Sequence, residues 1–433
     1  MIRDNLKKFK VEKGKNLRVT SRAGLGVIGS FAGQIGLFKR LEAGLRGLKV
    51  RNRGYRIYEK IFYLMGMLIC GGERLMHMKV LESDRGMLEL FGRKRVPRGN
   101  TMGYFLRRFR RREIKVLADI NMWLVKRLIR GKGLRHITID IDSTLIESDK
   151  REAKRTYKGF HGYNPLLAVI KEIKVVIRGV FREGNSSPGA NNLSLLRLIY
   201  NSIKDMGLKR IYFRSDSAAY NWRIMGFCEG RGIYFGIGIR GTELMKRVIK
   251  AIPEDEWERF GEGIEIAETV HFVGSDRYGG AYRVVVTRKR RKELALFMEY
   301  GYEYHGVITN INHWDKKAVM RWYNKRGDME NVIKELKYDY GMDKIPTGEL
   351  LANSAYFQIV LLAYNLMRAF SLCILPSKWR RYRLKTIRFI FINIGGVIKK
   401  HARYIRLILP ENYLYFDTFY YSRYKALNAH IYI

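Results

Sequence analysis

The sequence predicts an α/β protein with a helical N-terminal region and a strand-rich insertion, and three stretches carry that expectation. HITIDIDSTLI (136–146) alternates Ile137, Ile139 and Ile141 against Thr138, Asp140 and Asp142, the period of a strand. PLLAVIKEIKVVIRGVFRE (165–183) reads as two strands joined at Lys171–Lys174. NNLSLLRLIYNSIKDMG (191–207) has helix-spaced apolar residues and stops at Gly207.

The other elements follow in order. LGVIGSFAGQIGLFKRLEAGLRGL (25–48) and YRIYEKIFYLMGMLICGGERL (55–75) have helical periodicity, so 1–130 is expected to be a helical region. VPRGNTMGYFLRRFRRREIKVLADINMWLVKRLI (96–129) opens on a turn, with Asn100 or Thr101 as caps, and a helix carrying Arg107, Arg108, Arg110, Arg111 and Arg112 is expected after it. After residue 136 the order is strand, hairpin, helix, strand (KRIYFRSDS), short helix and strand (IYFGIGIRG). TVHFVGS, AYRVVVTRKRRKE and YEYHGVITNI then read as strands, with basic Arg288–Lys292 between them. Helices resume at Asp315, a good N-cap. The expected organisation is a core of 131–240 with 313–375, a β-rich insertion at 241–312, and a basic aromatic tail at 376–433 with no role assigned.

Charge narrows the function. The formal net charge is +42, from 83 Lys/Arg against 41 Asp/Glu. Residues 1–135 hold 34 of those cations against 10 acids. A folded chain this basic implies a polyanionic partner, most simply nucleic acid. The Arg107–Arg112 cluster is then expected to touch DNA backbone. Three widely spaced cysteines suggest neither a zinc site nor a disulfide framework and fit a reducing cytoplasm. MIRDNLKKFKVEKGK has no apolar core of a signal peptide. The apolar run YFQIVLLAYNLMRAFSLCIL (356–375) is interrupted by Gln358, Asn365 and Arg368, so a buried core helix is expected and no membrane.

Chemistry is expected where carboxylates stand at strand ends, the usual location of sites in α/β sheets. Asp142, followed by Ser143 and Thr144, and Asp216, followed by Ser217, both do. Glu330 adds a third carboxylate. Carboxylate oxygens suit Mg²⁺, and two such ions can activate a nucleophile and stabilise a leaving oxygen in phosphoryl transfer. Asp140 shares a face with Asp142 and could serve in its place. In YNKRGDMENVIKELK (323–337), Tyr323, Arg326, Glu330 and Lys337 would form one stripe on a continuous helix. Gly327 interrupts that helix, and with Asp328 as a cap it could break there.

Tyr, two residues, Arg, three residues, Glu, six residues, Lys is the Y-R-E-K pattern, matched here without a gap. With IDIDST, FRSDS, GYNPLLAVI…IRGVFREGN and ELLANSAYFQIVLLAYNLMRAF, the chain resembles a DDE-type insertion-sequence transposase over about 136–370. The N-terminal GGERLMHMKVLESDRGMLELFG and VPRGNTMGYFLRRF resemble that family less specifically. The resemblance implies an RNase H-like catalytic core and cut-and-paste DNA transposition in a prokaryotic cytoplasm. Asp142, Asp216 and Glu330 would be the catalytic, metal-binding triad for two Mg²⁺, with Mn²⁺ as substitute. Asp142 is preferred over Asp140 because the family's Asp precedes small hydroxyl residues. Tyr323, Arg326 and Lys337 would grip phosphate. Partners would be terminal inverted repeats, target DNA and a second copy of the chain. A nuclease of the same fold and a DNA-binding protein derived from a transposase are the alternatives. The glycines of Gly236-Ile-Gly-Ile-Arg-Gly241 lie in a strand, which argues against a dinucleotide site. His161 and His305 could approach the acids. Trp222, Trp257 and Trp314 read as core, or as a platform for a flipped base as in related transposases.

Overall fold

A computed structural model describes residues 10–15, 17–49, 54–275, 278–290, 301–402 and 404–429. After β1 (Val19–Thr20) come α1 (Ala23–Gln34), α2 (Leu37–Gly44) and α3 (Ile57–Ile69), then α4 (Met78–Ser83), α5 (Arg85–Leu90), α6 (Gly99–Leu106) and α7 (Arg111–Gly131). The apolar 25–48 stretch becomes two helices because Gly36 turns the chain at φ +85°, a conformation glycine adopts without strain. The helix expected after Pro97 is also two, α6 and α7. Asn100 and Thr101 fall inside the first turn of α6 and do not cap it. Arg107, Arg108 and Arg110 occupy the break between the two helices, where the backbone N–H of Arg110 donates to Glu113 (3.0 Å). With Arg111, all are exposed.

The core follows as β2 (His136–Ser143), β3 (Ile146–Glu147), β4 (Lys154–Arg155), β5 (His161–Tyr163), β6 (Leu166–Ile170), β7 (Val175–Val180), α8 (Asn192–Ile203), β8 (Arg210–Ser215), α9 (Trp222–Glu229) and β9 (Ile233–Gly238). The expected hairpin is β6–β7, turning at Lys174 with φ +52°. Residues 137–141 of β2 are buried on both faces, as befits a central strand. β2, β6 and β7 form an antiparallel meander, and β8 and β9 run parallel to β2. The spatial order β7-β6-β2-β8-β9 is that of an RNase H-like sheet.

Residues 241–312 extend this same sheet. β10 (Glu258–Gly261), β11 (Ile264–Ser275), β12 (Tyr278–Arg290) and β13 (Tyr302–Thr309) add to the β9 edge, making nine strands. Before them lies a helix the sequence reading did not anticipate, Glu243–Lys250, capped by Thr242 Oγ1 accepting from Met245 N (3.2 Å). Arg288 belongs to β12 and is buried against Glu254 and Glu265. Arg291 and Lys292, expected between strands, lie outside the described residues.

Asp315 accepts from the backbone of Lys317 and Ala318 as the expected N-cap. With Glu243–Lys250 as α10, the next helices are α11 (Lys316–Asn324) and α12 (Gly327–Lys334), followed by a π-helical turn at Glu335–Asp339 and then α13 (Leu350–Cys373). Among the described residues only α13 is long and apolar enough to cross a membrane, and 89% of its most apolar window is buried inside the fold. Its three polar interruptions serve the sheet. Gln358 donates to Gly179 O (2.9 Å), Arg368 donates to Ile173 O (3.3 Å), and Asn365 both accepts from Val176 N (2.9 Å) and donates to Val176 O (2.7 Å). α13 thus covers the edge strand β7 with side-chain bonds where a tenth strand would otherwise pair. Val176 O also accepts from Asn121 Nδ2 (2.9 Å), so Asn365→Ala strands the buried Val176 N–H and the Asn121 side-chain oxygen and is expected to lower stability by about 2–3 kcal/mol, read as a lower urea midpoint with unchanged slope.

The tail closes the molecule on its N-terminal region. α14 (Leu384–Ile387) is followed by β14 (Gly396–Lys400) and β15 (Ile405–Ile408), which form a sheet with β1, and by α15 (Phe416–Leu427), which packs on α1.

Candidate active site at the ends of β2 and β8

β2 and β8 are adjacent and parallel, so residues following them come out at one edge of the sheet. Asp140 and Asp142 share a face of β2, but their surroundings differ. Asp140 is 1% exposed and is held by Arg214 on β8, with Nε–Oδ1 and Nη2–Oδ2 both 2.7 Å. That is a bidentate pair closed inside the sheet. Asp142, two residues nearer the strand end, keeps 18% of its side chain open. Its Oδ1 accepts from Ser143 N (2.8 Å) and its Oδ2 from Arg326 Nη1 (3.1 Å).

Asp216 leaves β8 into a tight turn, where its Oδ1 accepts from Ala218 N (3.1 Å). No hydrogen bond engages its Oδ2 among the described residues. Burial and then the repulsion of Asp216 push the Asp142 carboxyl up to about 6, against the pull of Arg326. Two carboxylates therefore repel one another while one guanidinium, bonded to Asp142, attracts both, an arrangement of hard oxygen donors short of positive charge. Tyr323 and Arg326 complete this group. The Tyr323 hydroxyl donates to Ser215 O (3.2 Å), and burial raises its pKa above the usual phenol value.

The stripe expected from Tyr323 to Lys337 is broken. α11 ends at Asn324, Arg326 caps α12, and Lys337 lies in the π-helical turn. The break falls at Lys325–Arg326, just before Gly327, which opens α12, and Asp328 lies inside the first turn, not at the expected cap. Lys337 still reaches the β2 end, where its ammonium donates to Leu145 O (2.7 Å). Glu330 lies one turn beyond Arg326, on the same helical face, but is exposed and makes no ion pair among the described residues. Among those residues no three Asp, Glu, His or Cys side chains converge at metal-binding distance. The structure thus brings together Asp142, Asp216, Tyr323 and Arg326, places Lys337 at the rim, and leaves Glu330 outside the pair. Arg107, exposed between α6 and α7, pairs with Glu349 (3.3 Å).

Beside Asp216 a cleft of about 850 Å³ opens between β9, α10 and β13, lined by Tyr302, Tyr304, His305, Tyr323 and Arg326 among others. Burial, then Arg326, lowers the pKa of His305. His161, in β5, does not line this cleft, and neither do Trp222, Trp257 and Trp314. Trp222 stacks on Tyr278, Trp257 lies under Arg288, and Trp314 packs on Tyr212.

The glycines at 236 and 238 have a packing reason. A Cβ at Gly236 would come 2.6 Å from Trp322, and one at Gly238 would come 2.8 Å from the Tyr323 hydroxyl and 3.0 Å from Ser217 N. Their bare backbone lets α11 and the Asp216 turn close on β9. Gly238→Ala is expected to cost about 1–3 kcal/mol of stability and to displace Tyr323, measurable by thermal melting together with cleavage assays on the folded fraction.

A family model described as Transposase DDE domain group 1 matches residues 7–429. Among solved structures, a cryo-EM structure of piggyBac transposase in a synaptic complex with hairpin DNA is similar at 10% identity and a TM-score of 0.39, over 78% of this chain and 75% of that chain. No curated protein matches. A family model spanning nearly the whole chain, on an RNase H-like sheet with two acids at adjacent strand ends, places this protein in the DDE transposases.

Proposed function

We propose that this chain excises a mobile DNA element by hydrolysing a phosphodiester at each element end and then joins the freed 3′-OH to target DNA. The observation that carries the reading is the pair of Asp142 and Asp216 at the ends of neighbouring parallel strands, incompletely neutralised by Arg326. Hard carboxylate oxygens at this edge, Asp216 Oδ2 free among the described residues and Asp142 Oδ2 held only by Arg326, fit divalent cations, and Asp142, Asp216 and Glu330 would hold two Mg²⁺, or Mn²⁺. Bound there, the ions supply Lewis-acid stabilisation to attacking and leaving oxygens. The chain's own residues hold and orient the DNA. Arg326 leaves Asp142 for a phosphate oxygen, and Lys337 and Tyr323 fix the strand beside it. Arg107, Arg108, Arg110 and Arg111 bind backbone further along the duplex. Residues 1–130 are read as a DNA-binding region, 131–240 with 313–375 as the catalytic core, 241–312 as the β-rich insertion and 376–433 as the tail. Joining two ends calls for a homodimer.

The test is cleavage of a labelled duplex bearing the element's own end, with Mg²⁺, with EDTA, and with Glu330→Ala. Metal-dependent nicking, lost in the variant, and strand transfer from a pre-cut end are expected. Nicking without strand transfer would favour a nuclease. The separation of Glu330 from the aspartate pair favours a second reading, a DNA-binding derivative without catalysis. Tight binding with no cleavage in any metal would select it.

A further inference from the structure

The Ser217–Ala218 turn that follows Asp216 borders a second hollow, of about 530 Å³, distinct from the cleft beside β13. Three arginines line it from three separate elements: Arg197 on α8, Arg223 on α9 and Arg240 just after β9. No Asp or Glu lines it. Ser187, Ser194 and Asn191 add polar groups. The hollow is tied to the acid site, because Arg240 Nε donates to Ser217 O (3.1 Å). Gly189 keeps its rim against the same turn, since a Cβ there would stand 2.6 Å from Ala218 O.

In a chain with twice as many cations as acids, one unpaired arginine is ordinary. Three arginines from distant parts of the sequence line one hollow, all exposed and none ion-paired among the described residues, with Arg197 over the Phe227 ring and Arg223 over Trp222, and the like charge they gather there is what an anion would offset. Guanidinium groups match phosphate oxygens in geometry as well as charge. We infer that this hollow is a phosphate subsite, which takes a DNA backbone phosphate within a few nucleotides of the one cut beside Asp216. The inference rests on the transposase reading for its ligand. It adds a strand path: from the acids, over the 217–219 turn, and onto the face of α8 and α9.

The test is duplex binding in EDTA, so that it does not depend on cleavage. The probe is a duplex of the element's end carrying single methylphosphonate substitutions at successive positions. The variant is Arg197→Gln/Arg223→Gln, which leaves the Arg240 bond to the catalytic turn intact. A control removes Lys399 and Lys400 on β14. About tenfold weaker binding and a salt slope shallower by about one to two are expected for the variant. One or two methylphosphonates that weaken wild-type binding should have no further effect on it. Unchanged affinity, an unchanged interference pattern, or an equal loss in the β14 control would overturn the subsite. If the predicted binding pattern is found while no metal supports cleavage, the subsite stands and the catalytic reading falls.

Discussion

Asp142→Asn is expected to abolish metal-dependent cleavage and, in EDTA at neutral pH, to make the protein more stable. Both effects come from the same carboxylate. A divalent ion on this pair is worth several kcal/mol to the transition state, so losing one ligand should lower the rate by about 10³ or more. DNA binding should persist, because the phosphate contacts proposed above fall to the arginines and Lys337 and not to Asp142. Without metal, Asp142 sits in an unfavourable state. Burial and Asp216 raise its pKa from 3.8 to about 6. The folded protein therefore holds this proton more tightly than the unfolded chain. The stability linked to protonation is fully present below about pH 3.8 and is lost as pH rises through about 6.

At pH 7 the ionised group is a burden on the order of 2–3 kcal/mol, which the neutral amide removes. Urea melts in EDTA should show that gain at pH 7 and little difference near pH 4. Adding Mg²⁺ should raise the wild-type midpoint and leave the variant's unchanged. An Asp142→Asn protein less stable than wild type at pH 7 in EDTA would mean that Arg326 already satisfies this acid, leaving no cation to recruit.

The placement of the two aspartates at strand ends is legible because each is a local event, a strand alternation ending in an acid followed by hydroxyl residues. The β6–β7 turn and the Asp315 cap were legible for the same reason. What failed needed distant partners or finer local reading. Tyr323, Arg326, Glu330 and Lys337 have the spacing of a stripe, yet the helix resets at Gly327, a break the glycine signalled, and a π-turn shifts Lys337. The Gly236–Gly241 pattern resembled a nucleotide loop, but its first two glycines are explained by tertiary neighbours, Trp322 at Gly236 and Tyr323 with the Ser217 backbone at Gly238. Gln358, Asn365 and Arg368 spoke against a membrane span, but their bonds to β7 and to the turn before it are tertiary. Helix α10 was missed although Thr242 and Glu243 mark its start, because neighbouring strands drew the segment into a β-rich reading.

Asp140→Ala should behave in the opposite way to Asp142→Asn. Arg214 is fully buried, and Asp140 is its carboxylate partner. Removing the acid leaves a guanidinium inside the sheet with only the Trp322 carbonyl and the Trp322 ring. Breaking such a pair from one side costs about 3–5 kcal/mol, whereas replacing both partners with apolar side chains of similar volume is often close to neutral. Asp140→Ala is therefore expected to lower the urea midpoint sharply, and Asp140→Leu/Arg214→Met to recover most of that loss. Both proteins should retain metal-dependent cleavage per folded molecule at low temperature, reduced only so far as Arg214 no longer steadies α11 through Trp322. Loss of cleavage with stability intact in Asp140→Ala would exchange the roles of the two β2 aspartates and make the buried one the metal ligand.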